Sequence, residues 1–327
     1  MKIGKLPESV LKRSIFRQLH TTRAEVLSGA AVGEDCAAVE LAEGEVFVLS
    51  TDPITGTVTD IGKLSVLVTL NDIASAGAEP VGLLMTMLLP PETEEAEIRA
   101  MVRQMEEECA RYQVQIMGGH TEVTRAVNQP LISVTGVGKA PKDKLLKSGG
   151  AVPGDDVVIT KWIALEGTSI LAKEKEAELL TRYPADLINT AKGFDQYLSV
   201  VPEAAIAVKS GVHAMHDVTE GGIFGALWEV AEASGVGLEI DFKKIPIRQE
   251  SVEICEFFHI NPYELISSGS MLMAAPDGTG LVRALEKAGI PAAVVGKVTD
   301  GNDRILEQED ERRFLEPPKT DEIYKVV

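Results

Sequence analysis

Cysteine is scarce and unpaired in this 327-residue sequence. Cys36, Cys109 and Cys255 lie far apart, with no Cys-x-x-Cys pair and no Cys/His cluster, which excludes a zinc module and a secreted disulfide framework. Long apolar runs are missing as well. The most apolar stretch, Val81 to Leu89, falls far short of a bilayer span, and Met1 to Lys12 carries charge and a proline where a signal peptide needs an apolar centre. Positive charge is in deficit: 32 Lys and Arg stand against 50 Asp and Glu, a formal net charge of −18. A surface that acidic repels phosphate backbones. These gaps point to a soluble protein of a reducing cytoplasm, with neither nucleic acid nor membrane as partner. The common fingerprints are absent too. There is no G-x-x-x-x-G-K-[ST], no H-E-x-x-H and no G-x-S-x-G, and Gly136-Val137-Gly138 lacks the third glycine of a dinucleotide loop.

What is present is the balance of a globular chain, 45% hydrophobic and 25% charged, long enough for two domains. Apolar periodicity predicts a helix opening at Leu6-Pro7-Glu8, a strand Val46 to Ser50, a buried helix Ile61 to Ala76, a strand Val81 to Leu89 and a glutamate-rich helix Thr93 to Tyr112. A short strand, Val114 to Met117, runs into Gly118-Gly119-His120-Thr121, and Leu131 to Val137 reads as another strand. Turn formers from Ser148 to Asp155 mark a boundary that divides the chain into domains 1–150 and 151–327. The second half repeats the mixture: helix Pro202 to Ser210, an extended segment His213 to Val218, helix Gly221-Gly222 to Ser234 and strand Gly237 to Ile240. The fold class is α/β, in two layered domains. The tail after Arg304 reads as a loose polar extension. Glutamates 94, 95, 97, 106, 107 and 108 read as a solvated helix face, Met85, Met87, Phe224 and Trp228 as core, and Cys36 as a small packed residue.

The chemistry must come from aspartates beside small residues. Asp35 lies in Gly33-Glu34-Asp35-Cys36-Ala37, Asp52 closes the strand at Ser50-Thr51-Asp52-Pro53, and Asn71-Asp72 sits inside an otherwise apolar helix. Turn and cap roles account for aspartates singly. A burial-prone aspartate within an apolar helix needs hydrogen bonds or a cation, and Mg²⁺ takes such oxygen ligands. Two glycine pairs follow strands: Gly118-Gly119-His120-Thr121-Glu122, and Asp217-Val218-Thr219-Glu220-Gly221-Gly222, the latter opening a helix whose amides suit an anion. His213 and His216 flank a strand without a third ligand in sequence, so both tight turns and ordinary histidines remain open readings.

Taken in order, these segments resemble the AIR synthase superfamily, whose members include thiamine-monophosphate kinase, selenophosphate synthetase and HypE. The resemblance runs through Gly33-Glu34-Asp35, Thr51-Asp52, Asp60-Ile61-Gly62-Lys63-Leu64, Asn71-Asp72-Ile73-Ala74, Gly77-Ala78-Glu79-Pro80 and Gly118-Gly119-His120-Thr121. It continues through Pro153-Gly154-Asp155, Gly167-Thr168-Ser169, Asp217 to Gly222 and Ser267-Ser268-Gly269. The pattern is nearest to the HypE hydrogenase maturation factors.

The resemblance implies an amino-terminal sheet that closes a barrel across a homodimer, a carboxy-terminal α/β domain, and ATP with Mg²⁺ as cofactors. By that analogy Asp35, Asp52 and Asp72 hold Mg²⁺, Asn71 assists, and Lys63 reaches phosphate. Gly118, Gly119 and Thr121 form a loop beside the nucleotide, and Asp217, Thr219, Gly221 and Gly222 face the acceptor. Asp72, His120 and Glu122 are the catalytic candidates. The implied activity is ATP-dependent phosphorylation or dehydration of a carbonyl- or amide-type acceptor, small or protein-borne. The alternatives are a non-catalytic nucleotide-binding partner of another maturation protein, and a kinase like that for thiamine monophosphate. The sequence departs from the pattern at its tail, where HypE proteins carry a terminal cysteine and this one reads Tyr324-Lys325-Val326-Val327. Tail-cysteine chemistry is therefore not expected. His120 stands where many members have aspartate, and Glu220 where HypE-like sequences often have arginine.

Overall fold

A computed structural model of the chain describes residues 2–31, 34, 36–54, 60–309, 311–317 and 319–327. The chain divides into two compact units, Met1–Ala74 with Ala78–Leu145, and Ser75–Gly77 with Leu146–Val327. The first contains β1 (Gly4–Lys5), α1 (Glu8–Ser14), β2 (Val26–Ser28), β3 (Ala38–Val39), β4 (Glu45–Ile54), α2 (Ile61–Ser75), β5 (Glu79–Leu89), α3 (Glu95–Tyr112), β6 (Gln115–Val123) and β7 (Leu131–Pro141). Its main sheet has the order β1-β6-β5-β7-β4, with β5 parallel to β6 and the other pairs antiparallel.

Helix α2 is apolar nearly all round, and such a helix is stable only when covered on every side. Leu64, Val66, Leu67, Leu70 and Ile73 are buried accordingly. Gly136 and Gly138 make room for it on β7, since an added Cβ would stand 2.5 Å from Thr69 Cγ2 at the first and 2.3 Å from Ile73 Cγ2 at the second. The glycine pair that failed as a dinucleotide loop is thus a helix-packing groove.

Helix α3 opens with a reciprocal capping box between Glu94 and Glu97 and buries Ile98, Met101, Val102, Met105 and Cys109. Its glutamates are not all solvated, contrary to expectation. Glu106 and Glu108 are buried. Glu106 Oε1 accepts the amides of His20 (2.8 Å) and Thr21 (2.6 Å), and Glu95 accepts Arg13 Nε at 2.6 Å and Nη2 at 2.5 Å. These carboxylates hold the amino-terminal segment against the helix.

The second unit carries β8 (Asp156–Thr160), α4 (Leu165–Glu174), α5 (Glu176–Leu179), α6 (Ala185–Lys192), α7 (Val201–Ser210), β9 (Ala214–Asp217), α8 (Gly222–Ser234) and β10 (Gly237–Asp241). It continues with α9 (Gln249–Phe258), β11 (Met271–Ala275), α10 (Gly278–Lys287), β12 (Ala292–Thr299), β13 (Arg304–Gln308) and β14 (Glu311–Phe314). The sheet order is β14-β13-β10-β12-β8-β11-β9. One core, around Ile159, Val218, Leu227 and Leu272, lies between the sheet and α8; another joins α4, α6 and α9 through Leu171, Ile188 and Ile254. The tail after Arg304 is no loose extension: β13 pairs parallel with β10, β14 folds back on β13, and Ile323 enters the α4–α9 core. No described helix is long and apolar enough to cross a membrane.

Candidate functional site

Strand β4 runs on to Ile54, so Asp52 lies inside the strand instead of closing it. Alternation along the strand aims Ser50 and Asp52 to the same side, toward α2. Ser50 Oγ lies 3.3 Å from Asp52 Oδ2 and also donates to Asp72 Oδ2. Two carboxylates from different elements therefore meet at one hydroxyl, which has a single proton to give. Asn71, next to Asp72 on α2, is wholly buried, and Lys63 is half-buried in the first turn of that helix. Asp35 and Gly33 lie outside the described residues. Among the described residues no group of three or more His, Cys, Asp or Glu forms a metal cage; Asp35, the expected third member, is not one of them.

Gly118 to Thr121 do not form a loop. They lie in the middle of β6, paired with Leu84 to Met87 of β5. The glycine pair misled because the strand uses it differently: Gly119 has φ +142°, and a Cβ there would stand 1.8 Å from the Met85 carbonyl oxygen. Glycine alone lets the two strands meet. His120 Nε2 is 3.2 Å from Glu122 Oε2, and both side chains are partly exposed. The pairing register sets Asp52, Val134, Met85 and Gly119 in one row and Pro53, Ser133, Thr86 and His120 in the next. Adjacent rows face opposite sides of a pleated sheet. His120 and Glu122 thus point away from the Asp52–Asp72 pair, and the catalytic candidates are not brought together within the unit.

On the His120 side the sheet forms one wall of a cleft of about 850 Å³, to which Gly118, Gly119, His120, Thr121, Glu34 and Cys36 contribute. Cys36 is exposed on this cleft, not packed. Phe47 (48% exposed), Leu49 (64%) and Leu84 (36%) belong to the same outward face.

In the second unit Asp217 ends β9, buried, and accepts Ser75 Oγ at 3.1 Å. The Thr219 carbonyl accepts the Gly222 amide (3.1 Å) and the Ser267 amide (3.3 Å). Gly221 (φ +79°) and Gly222 (φ +59°) turn the chain into α8 through the left-handed region. The Gly221 amide donates to Asp321 Oδ2 at 2.8 Å, and Tyr324 Oη donates to Glu220 Oε1 at 2.6 Å. Glu166, in the first turn of α4, is buried, and its carboxyl is pushed up to about 7 by that burial, with hydrogen bonding from Ser268 opposing the rise and Asp321 and Glu220 adding like charge. Reading the residues alone missed Ser50, Glu166 and Asp321; their only sequence signal was proximity to the quoted motifs. His213 pairs with Asp155 (2.9 Å) and His216 with Glu229 (2.8 Å), so the two histidines serve separate carboxylates.

Two α/β units, each with a glycine-bearing strand or turn beside carboxylates, define a two-domain protein of the AIR synthase-like fold. The domain signatures of AIR synthase related proteins match residues 33–140 (N-terminal domain) and 152–307 (C-terminal domain). The chain belongs to this family. It is 30% identical to the carbamoyl dehydratase HypE of Cupriavidus necator over 82% of this chain and 77% of that protein. It is 28% identical to a Methanocaldococcus jannaschii protein named for hydrogenase expression and formation, over 99% of this chain and 97% of that one. Among solved structures it resembles a hydrogenase maturation protein HypE in complex with ATP (TM-score 0.83, 21% identity, covering 98% of this chain and 97% of that one). It also resembles HypE from a HypE–HypF complex (TM-score 0.74, 23% identity, 85% and 92%).

Proposed function

We propose that this protein binds ATP with Mg²⁺ as a homodimer and uses it to phosphorylate or dehydrate a carbonyl- or amide-type acceptor in hydrogenase maturation. The observation that carries the reading is the meeting of Asp52 and Asp72 at Ser50. Two carboxylates competing for one proton fit a hard cation, and oxygen-rich sites that carry phosphates commonly share Mg²⁺ with them. In this reading residues 1–150 are the nucleotide-binding and dimerisation domain and 151–327 the carboxy-terminal domain. Asp35, Asp52 and Asp72 hold the metal, Asn71 supports them, and Lys63 meets phosphate. Gly118, Gly119 and Thr121 border the nucleotide, His120 and Glu122 serve the chemistry, and Asp217, Thr219, Gly221 and Gly222 belong to the acceptor. The metal supplies charge neutralisation to the phosphates; the chain's own work is positioning. HypE relatives that bind ATP or pair with HypF support a protein-borne acceptor and a maturation partner.

Calorimetry should show ATP binding in Mg²⁺ and none in EDTA; equal affinities would defeat the proposal. A second reading, a non-catalytic nucleotide-binding partner, draws on the Gly221 amide being held by the chain's own Asp321. Steady-state ADP release with amide- and carbonyl-bearing acceptors separates the two.

A further inference from the structure

Between residues 18–22 and the second half of α3 lies an open groove of about 650 Å³, bordered by Gln18, His20, Arg103, Glu106, Glu107 and Gln113. It belongs wholly to the first unit. It shares no lining residue with the cleft beside His120, and neither Asp52 nor Asp72 lines it. None of its residues has a part in the nucleotide chemistry.

Glu106 is the built element of this groove. It is 7% exposed, and its two carboxylate oxygens are used unequally. Oε1 accepts the amides of His20 and Thr21 and, at 2.7 Å, the Thr21 hydroxyl. Oε2 is shielded from solvent and has no hydrogen-bond partner among the described residues. Holding the 20–21 segment needs one acceptor oxygen, which a glutamine would supply without burying a charge. A carboxylate here has a second oxygen to offer, and a buried acceptor left unpaired is costly until a donor reaches it. An ammonium group is the donor that meets the charge as well as the lone pair. The exposed wall of the groove is uncommitted in both signs. Arg103 and Glu107 stand one turn apart on α3, the spacing at which opposite charges commonly pair. Neither forms an ion pair or a hydrogen bond among the described residues.

We infer that this groove binds a free amino acid with a basic side chain. The α-ammonium donates to Glu106 Oε2, the α-carboxylate meets Arg103, and the side-chain cation faces Glu107. Each charged group of the ligand thus answers one on the wall: two carboxylates and one guanidinium suit a molecule that carries two cations and one anion. The groove lies in the volume range of small-molecule sites, and the formal net charge of −18 attracts a ligand of net positive charge. The site is independent of the function proposed above, and its occupation requires neither nucleotide nor Mg²⁺.

The test is calorimetry on the full chain without nucleotide, titrated with L-lysine and with L-arginine. Saturable binding of at least one of them, one ligand per chain, is expected; saturable binding of neither overturns the site. The Nα-acetyl amide of the amino acid that binds presents the same side chain without the charged head, as a residue within a protein does. It should bind at least about tenfold more weakly, the worth of one charge-assisted contact. Equal binding of the two overturns the amino-acid reading in favour of a basic side chain on a partner protein. Arg103→Gln, at an exposed position, should weaken the amino acid by a similar factor and leave its decarboxylated counterpart (cadaverine for lysine, agmatine for arginine) unaffected. Any other pattern overturns the pairing of Arg103 with the carboxylate. Glu106→Gln keeps an acceptor oxygen for the three donors and loses the charge, so binding should disappear while hydrogen exchange over 18–22 stays that of the wild type. A variant that still binds as before overturns the role of Oε2. The ligand series and the Arg103→Gln arm stand even where Glu106→Gln does not fold.

Discussion

At Ser50 a single hydroxyl proton is contested by two carboxylates, and the consequences differ with and without a cation. Removing one charge relieves repulsion in the free protein and removes a ligand from the metal-bound one. Asp72→Asn should therefore leave the melting temperature unchanged or raise it, while Mg²⁺-dependent ATP binding disappears from calorimetry. A destabilised variant with unaltered ATP affinity would show Asp72 to be structural. Asp72 was legible in the sequence because a charge inside an apolar helix is conspicuous. Ser50 was not, since a serine two residues from an aspartate on a strand is unremarkable until α2 is laid across it. Glu166 was silent for a similar reason: glutamate in the first turn of a helix is ordinary, and nothing in its spacing announces that it is buried. The separation of His120 and Glu122 from Asp72 depends on pairing register, which no motif encodes.

Elements with strong apolar periodicity, α2, α3 and β5, were readable to within a few residues. The 304–314 hairpin was not, because β14 is exposed along its whole length and shows no apolar alternation; its order comes from β13, which in turn depends on β10. The contact between α1 and α3 is where charge decides the behaviour of an element. Glu95 receives Arg13 through two nitrogens and Ser14 at 2.7 Å, and the Arg13 guanidinium foremost holds its carboxyl down to about 2. A depressed carboxyl contributes above its ordinary range and loses that contribution as pH falls toward the depressed value. Hydrogen exchange should accordingly show α1 loosening from α3 between about pH 4.5 and about pH 2. In Glu95→Gln, α1 should be loose already at neutral pH and show no such transition; α1 protection in the variant equal to wild type would remove Glu95 from this role.

For the molecule as a whole, the outward face of the amino-terminal sheet is the conspicuous surface. Phe47 and Leu49 stand exposed on β4, which forms an edge of the sheet. An apolar edge left open invites another chain. Sedimentation should give a dimer at micromolar concentration, and Leu49→Glu should give a monomer with unchanged circular dichroism. A monomeric wild type would refute dimerisation through this face. The order of strands bears also on the birth of the chain. Every strand of the first sheet has been synthesised by residue 141, so that unit can close while the remainder is still being made. The second sheet has no such liberty: β8, its first strand in sequence, sits between β11 (Met271–Ala275) and β12 (Ala292–Thr299). Its apolar residues Val157, Val158 and Ile159 must wait on the ribosome for partners made much later. Truncated or stalled products will thus carry a finished first half and an adhesive second one, a chain that depends on chaperones from about its midpoint onward.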